Sequence, residues 1–318
     1  MRKLVLIAAC CFGGAALATA GADTPQTDVA MLAVGTVHEA LFSVALSGDT
    51  GFTVGAGGDV RESTDAGKTW KAVKVPVAQT LLGVATNGSK AIAVGIKGTV
   101  LLRDAQGVWT AVQSGTDSRL LAVAINGSGT AAIVGAFGTL LESTDGGEHW
   151  ESVAPKWADF STDGAEPNLY GVNVGDDGAI TVAGEFGTII RSEDGGKTWE
   201  SKHHGEATLF GLDLHKNGDG YAVGQDGTVL KTADHGQTWA SVDIASKVNL
   251  LAVKLTSSGA VYATGMHEIL AGNDDGKPWR LLQSELANGL WHTSVAAADG
   301  ASSAIAVGQA GQILRLGK

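Results

Sequence analysis

The sequence predicts an all-β protein: a seven-bladed β-propeller of four-stranded antiparallel blades, closed by an N-terminal strand that completes the last blade. Three observations carry that expectation. A phrase of the form Ser-x-Asp-x-Gly-x-Thr-Trp recurs at residues 63–70 (STDAGKTW), 143–150 (STDGGEHW), 192–199 (SEDGGKTW) and 232–239 (TADHGQTW). Worn copies stand at 272–279 (GNDDGKPW) and 103–109 (RDAQGVW). A Val-Gly marker or its variant recurs at Gly55, Gly95, Gly135, Gly184, Gly224, Gly265 and Gly308, with spacings of 40, 40, 49, 40, 41 and 43 residues. A period of that size signals a repeat architecture. Finally, 46 Gly and only 5 Pro in 318 residues, among Val, Leu, Ile and Ala, suit short strands and tight turns better than helices.

Residues 1–20 read as a secretory signal. Arg2 and Lys3 precede an apolar run over residues 4–17, and Ala18-Thr19-Ala20 is a small-x-small cleavage site, so cleavage is expected after Ala20. A lipoprotein signal ending at Cys10 would leave an apolar core of only residues 4–9. An uncleaved anchor would need roughly 20 apolar residues, and this run contains Gly13 and Gly14. Cleavage removes both cysteines, leaving no disulfide or thiol nucleophile, and moves the formal charge from −11 to −13. Acidity argues against nucleic acid or an anionic membrane as partner. The expectation is a periplasmic or secreted protein, residues 21–318 forming one domain, monomeric alone and not inserted in a membrane after cleavage.

Aligning the copies gives four strand-length beats per unit, with first beats at 41–46, 81–86, 120–125, 169–174, 209–214, 250–255 and 292–297. Seven units of four short strands fit a closed propeller, whereas an open solenoid would leave exposed edges at both ends. The seventh unit stops at residues 312–316 (QILRL), after its third strand. Residues 28–35 (DVAMLAVG) supply a spare strand ahead of the first unit. Pairing the two closes the ring.

The recurring phrase then reads as structural. Its Asp (Asp65, Asp145, Asp194, Asp234) falls in the turn between third and fourth strands, where a short carboxylate can accept from backbone N–H groups two residues on. Gly67, Gly147, Gly196 and Gly236 permit positive φ. Trp70, Trp150, Trp199 and Trp239 are expected to bury their rings between neighbouring sheets, each worth on the order of a few kcal/mol. The phrase is the Asp-box, or BNR, repeat. With the Val-Gly and Gly-Thr frames, as in LFGLDLHKNGDGYAVGQDGTVLKTADHGQTW at residues 209–239, the chain after its signal resembles the propellers related to the photosystem II stability and assembly factors. That resemblance implies a non-enzymatic chaperone or scaffold that holds a membrane-protein subunit during assembly. It also suggests, as partner outside photosynthesis, a membrane exporter of the resistance-nodulation-division (RND) type. The same repeat occurs in sialidases, other glycosidases and sorting receptors, so a glycoside hydrolase or carbohydrate-binding propeller is the alternative.

A sialidase-like mechanism needs a Tyr nucleophile with a Glu partner, an acid and three Arg that clamp a carboxylate. Tyr170 aligns with Phe42 and Phe210, and Tyr221 and Tyr262 align with Phe52 and Ile305, so all three read as core residues. Arg103, Arg119, Arg191, Arg280 and Arg315 scatter without forming a triad. Arg61 stands where other units carry Leu or Ile, and either is paired with a carboxylate or is functional. His203 and His204, adjacent in an extended segment, point to opposite sides and lack a third ligand. Asp176-Asp177-Gly178 and Asn273-Asp274-Asp275-Gly276 lack the alternating ligands of a calcium loop. No catalytic residue, cofactor or metal is therefore assigned.

In a propeller the tips between second and third strands share a face with the connections between blades, and the Asp-boxes lie on the other. Blades three and four carry Phe137 and Phe186 at their tips, and between them lies the one long insertion, residues 154–168 (APKWADFSTDGAEPN), with Trp157 and Phe160. Exposed aromatics in one sector suggest a contact patch. The alternative is that Trp157 and Phe160 fold back as a small core. Glu185, His203, His204, Met266, His267 and Trp291 lie on the same face and complete the candidate partner-binding set.

Overall fold

Each repeat forms one antiparallel sheet whose strands follow chain order outward from a central channel. The computed structural model describes residues 28–160, 164–274, 278–285 and 289–317. The expected signal, residues 1–20, lies outside them, as do Asp275 and Gly276. Blade 1 comprises Leu41–Ser47, Thr50–Gly55, Val60–Ser63 and Lys71–Ala72. Blade 4 comprises Leu169–Val174, Ile180–Gly184, Ile189–Ser192 and Glu200–His203. Blades 2, 3, 5 and 6 repeat this order, and blade 7 completes the set of seven four-stranded sheets. Second strands such as Ala91–Gly95 and Ala131–Gly135 are buried at every position, which is why they read as continuous apolar runs instead of alternating. Among the described residues no helix is long and apolar enough to cross a membrane.

The closing blade is built from both ends of the chain. Its sheet runs Val29–Ala33, Ile313–Leu316, Ala304–Gly308, His292–Ala296, with the N-terminal strand outermost. Val29 pairs with Leu316 and Ala33 with Ile313. The Gly317 N–H donates to the Asp28 carbonyl at 2.8 Å, and the Asp28 carboxylate binds Arg280 of blade 6 at 2.8 Å. The core is divided into seven layers, each between two adjacent blades. The layer that shuts the ring sets Leu41 and Val44 of blade 1 against Ile305, Val307 and Ile313 of blade 7.

The Val-Gly marker has a steric cause. A Cβ on Gly55, Gly95, Gly224 or Gly308 would collide with the carbonyl oxygen of the residue just before its own first strand. That carbonyl is needed, because it accepts from the N–H following the glycine, as in Ala56 N–H to Ala40 O at 3.0 Å.

The Asp-boxes are closed local networks, wider than expected. Asp65 accepts from the Thr69 N–H at 2.9 Å and the Thr69 hydroxyl at 2.7 Å, four residues on instead of two. The Ser63 hydroxyl donates to Asp65 at 2.8 Å and accepts from the Gly67 N–H at 2.9 Å, and Trp70 Nε1 donates to the Gly67 carbonyl at 2.9 Å. The bonds to Thr69, Thr198 and Thr238 lead in holding Asp65, Asp194 and Asp234 down to about 2. In blade 3 His149 replaces Thr, and its Nδ1 sits 2.7 Å from Asp145. Trp70, Trp150, Trp199 and Trp239 each pack between their own blade and the preceding one, but only partly buried. Trp109 and Trp279, from the worn copies, are more deeply buried, against Phe52 and Tyr221.

Two expectations follow from the closing blade. Deleting residues 28–35 leaves Ile313–Leu316 as an open edge and should abolish the cooperative thermal transition, which calorimetry would reveal; an intact transition would contradict closure. His292 occupies the position held elsewhere by Leu41, Leu81 and Leu120, fully buried, with Nε2 3.1 Å from the Gln312 amide oxygen. Burial pushes its pKa down. Because the folded value is depressed, its contribution is complete above the unfolded value near 6.5 and is lost as pH falls below it. Between about pH 7.5 and 5.5, the native melting temperature should fall more than that of His292→Leu.

Candidate functional site

Backbone bonds fix which loops share a face. The Gly138 N–H at the blade 3 tip donates to the Pro167 carbonyl in the connection to blade 4, at 2.8 Å, and the Gly98 N–H donates to Ser118 at 2.8 Å. On the opposite face the Asp-boxes join the hairpins between first and second strands, as in Ala66 N–H to Asp49 O at 2.9 Å.

Six of the seven tips are two-residue turns with both central residues left-handed, the type I′ geometry that matches strand twist. Lys97 and Gly98 have φ of 57° and 63°, Phe137 and Gly138 54° and 63°, Phe186 and Gly187 57° and 59°. Such a conformation costs a non-glycine residue roughly 1–2 kcal/mol. Phe137 and Phe186 bear that strain with 72% and 49% of their surface exposed. Neither folding nor packing accounts for a bulky apolar residue at this position.

The insertion separates from this pair. Trp157, in a 3₁₀ turn at Trp157–Asp159, is buried against Ala132, Val134, Leu140 and Leu169, and its Nε1 donates to the Gly138 carbonyl at 3.2 Å. Phe160 packs edge-on against it at 6.2 Å. Trp157 and Phe160 therefore belong to the layer between blades 3 and 4 and buttress the Phe137 turn from beneath. Four converging exposed aromatics reduce to two. The reason is length: the fifteen-residue stretch 154–168 suffices to fold a large ring back over the open end of the layer.

The rest of the candidate set divides similarly. Glu185 is half-buried and accepts from Asn168 N–H at 2.8 Å and Asn168 Nδ2 at 3.0 Å, pinning the end of the insertion. His203 Nδ1 contacts the Gly187 carbonyl at 2.7 Å, bracing the Phe186 turn, while His204 is exposed. Met266 and His267 are exposed at the blade 6 tip, with His267 at φ 70°. Trp291 is half-buried and stacks on Phe42 at 5.8 Å. Arg61 is paired: its guanidinium lies 2.8 Å from both Glu39 and Asp59, tying the closing segment to blade 1.

One feature of this face has no counterpart among the sequence candidates. Every first strand has a register shift at its second residue, where the bulge places Phe42, Leu82, Leu121, Tyr170, Phe210 and Leu251 toward the channel. Bulges re-aim side chains. The result is a half-buried apolar collar at the tip-face mouth, over a space of about 220 Å³. Tyr170 is part of this collar, not of the core, packing edge-on to Phe210 at 5.2 Å; Tyr221 and Tyr262 are buried as expected. The signal was an apolar pair opening six of the seven first strands, as in Leu41-Phe42 or Leu169-Tyr170, where alternation calls for one apolar residue; blade 7 has His292-Thr293 there.

Tyr170 and Glu185 approach to 3.5 Å, the pairing a sialidase would use. Burial, then the Glu185 charge, push the phenol's pKa up, opposite to the activation a nucleophile needs. The larger cavity, about 530 Å³, opens on the Asp-box face. Two of its carboxylates are engaged, Asp176 binding Lys216 at 2.8 Å and Asp177 capping the Ala179 N–H at 3.1 Å and facing Arg191 at 3.9 Å, while Asp299 stands exposed on its rim. Asp274 binds Lys231 at 2.7 Å and the Tyr221 hydroxyl at 2.7 Å. Among the described residues no cluster of His, Cys, Asp and Glu could hold a metal ion.

A family model described as Photosynthesis system II assembly factor YCF48 matches residues 102–203, a stretch holding both Phe tips and the insertion. Two similar solved structures are YCF48 bound to a D1 peptide (16% identity, TM-score 0.70, covering 91% of this chain and 96% of that one) and YCF48 from Cyanidioschyzon merolae (18%, 0.71, 91% and 98%). The chain is a BNR-type propeller resembling YCF48. A search of curated proteins finds no match. The likeness to the YCF48 structures covers nearly the whole ring and shows the fold, while the matched family stretch coincides with the sector where the repeat is broken.

The division within that sector is measurable by denaturant unfolding. Trp157→Ala should lose about 3–5 kcal/mol of stability. Phe137→Gly, which relieves the left-handed strain, should leave stability unchanged or raise it by up to about 1 kcal/mol. A large loss from Phe137→Gly would place that ring in the core.

Proposed function

We propose that the protein is a non-enzymatic assembly scaffold that holds a segment of a protein partner against its tip face. One observation carries this reading: Phe137 and Phe186 are exposed apolar side chains kept in strained left-handed turns, each braced from below by the connection between blades. Large apolar residues on rigid, pre-organised turns are what a binding surface needs and a soluble surface avoids. The solved YCF48 bound to a D1 peptide supports a peptide-binding role for a propeller of this shape.

The setting we propose is the periplasm or the exterior, reached through the signal at residues 1–20, with a membrane or envelope protein as client. An RND-type exporter is the first client to test. The glycoside hydrolase reading is weaker, because a glycosidase needs one carboxyl kept as a proton donor, and Asp176 and Asp177 face Lys216 and Arg191. The scaffold reading is tested by crosslinking in intact envelopes followed by pull-down. Phe137→Ser with Phe186→Ser should lose the captured membrane protein while the melting temperature stays within about 2 °C, since exposed substitutions rarely change stability much. Undiminished capture would remove the tips from the contact.

A further inference from the structure

The two strained tips have matching surroundings. At blade 3, the Gly138 N–H bonds the Pro167 carbonyl, placing exposed Glu166 beside Phe137. At blade 4, the Gly205 N–H bonds the Phe186 carbonyl at 2.9 Å, placing exposed Glu206 beside Phe186. Two adjacent blades thus repeat one unit: an apolar ring on a left-handed turn with a carboxylate next to it. Among the described residues neither Glu166 nor Glu206 forms an ion pair, whereas Glu39 and Asp59 pair with Arg61 and Glu185 accepts from the Asn168 N–H. Exposed Asp117 and Asp159 add to them, and among the described residues the exposed cations of this sector are Lys97 at the blade 2 tip, beside the connection that carries Asp117, with Arg119 and Lys156.

From this charge pattern we infer that the paired tips of blades 3 and 4 bind a cationic amphipathic segment of a protein partner: apolar side chains seated on Phe137 and Phe186, with Lys or Arg of the same segment facing Glu166 and Glu206. The chemistry is selective in sign. An anionic segment would meet uncompensated carboxylates at both contact points, whereas a cationic one gains two exposed ion pairs flanking apolar contacts, the arrangement that gives an interface its register and association rate. The inference rests on the scaffold reading and specifies the partner's contact segment.

The test uses the full-length protein and two fluorescent probe peptides of equal length, one alternating Leu with Lys and one alternating Leu with Glu, titrated by anisotropy. The Leu–Lys probe should bind with affinity that falls with added salt. Glu166→Gln with Glu206→Gln should weaken it roughly three- to tenfold, and Phe137→Ser with Phe186→Ser should weaken it further. Asp219→Asn with Asp299→Asn, removing the same charge from the opposite face, should leave it unchanged. Equal weakening by both charge pairs would show mere attraction to an acidic protein and overturn the proposal, as would tighter binding of the Leu–Glu probe. Self-association relieved by the Phe substitutions would assign the patch to a second copy, and flotation with zwitterionic vesicles relieved by them would assign it to a lipid surface; either overturns it. The envelope pull-down separates the two claims: capture lost with the Phe variant but retained with the Glu variant keeps the scaffold and rejects the cationic segment.

Discussion

Everything in this molecule depends on an edge being paired. Every blade keeps a short outer edge strand, but the last sheet matches its six fellows only if it finds a fourth strand, and Val29–Ala33 supplies it against Ile313–Leu316. The two ends of the chain thereby become neighbours, and blade 7 can press Ile305 and Val307 against Leu41 and Val44 of blade 1. With the core divided into seven equivalent layers, losing one interface would open the whole ring. This explains how little regularity is demanded elsewhere: worn Asp-boxes in blades 2 and 6 are tolerated because Trp109 and Trp279 still fill their layers.

The ring separates mechanical from available surface. On one face the Asp-box networks consume their own donors and acceptors, with Ser63, Asp65 and Thr69 satisfying one another. On the other, the steric requirement at Gly55, Gly95 and Gly224 brings each connection between blades against its neighbouring tip and makes the tips rigid. A rigid turn can hold a side chain in a conformation it would not choose. Phe137 and Phe186 exploit this, and the bulges at Phe42, Tyr170 and Phe210 add an apolar channel mouth beside them.

Strands, turns and closure were legible in the sequence because each is specified by a residue type that recurs at a fixed offset: a glycine where a Cβ cannot fit, an Asp where N–H groups converge, an apolar run where a strand is buried on both sides. The site was only half legible. The repeat shows that Phe137 and Phe186 occupy tips, since other blades have Lys97 or Asp226 there. It says nothing of residues 154–168, which have no counterpart, so the burial of Trp157 depended on contacts across the layer that spacing does not encode. Tyr170 was misplaced for a related reason. Alignment with Phe42 and Phe210 was correct, but all three are bulge residues facing the channel, and the apolar pair that marks each bulge reads equally well as two core positions.

The central claim is that the strained aromatic tips, not the larger cavity among the Asp-boxes, are where the protein meets its partner. A photoreactive side chain at position 186, compared with the same group at position 299 on the cavity rim, tests it most directly in intact cells. The account predicts a discrete protein adduct from position 186 and none from position 299. An adduct from position 299 alone would put the working face on the opposite side of the ring.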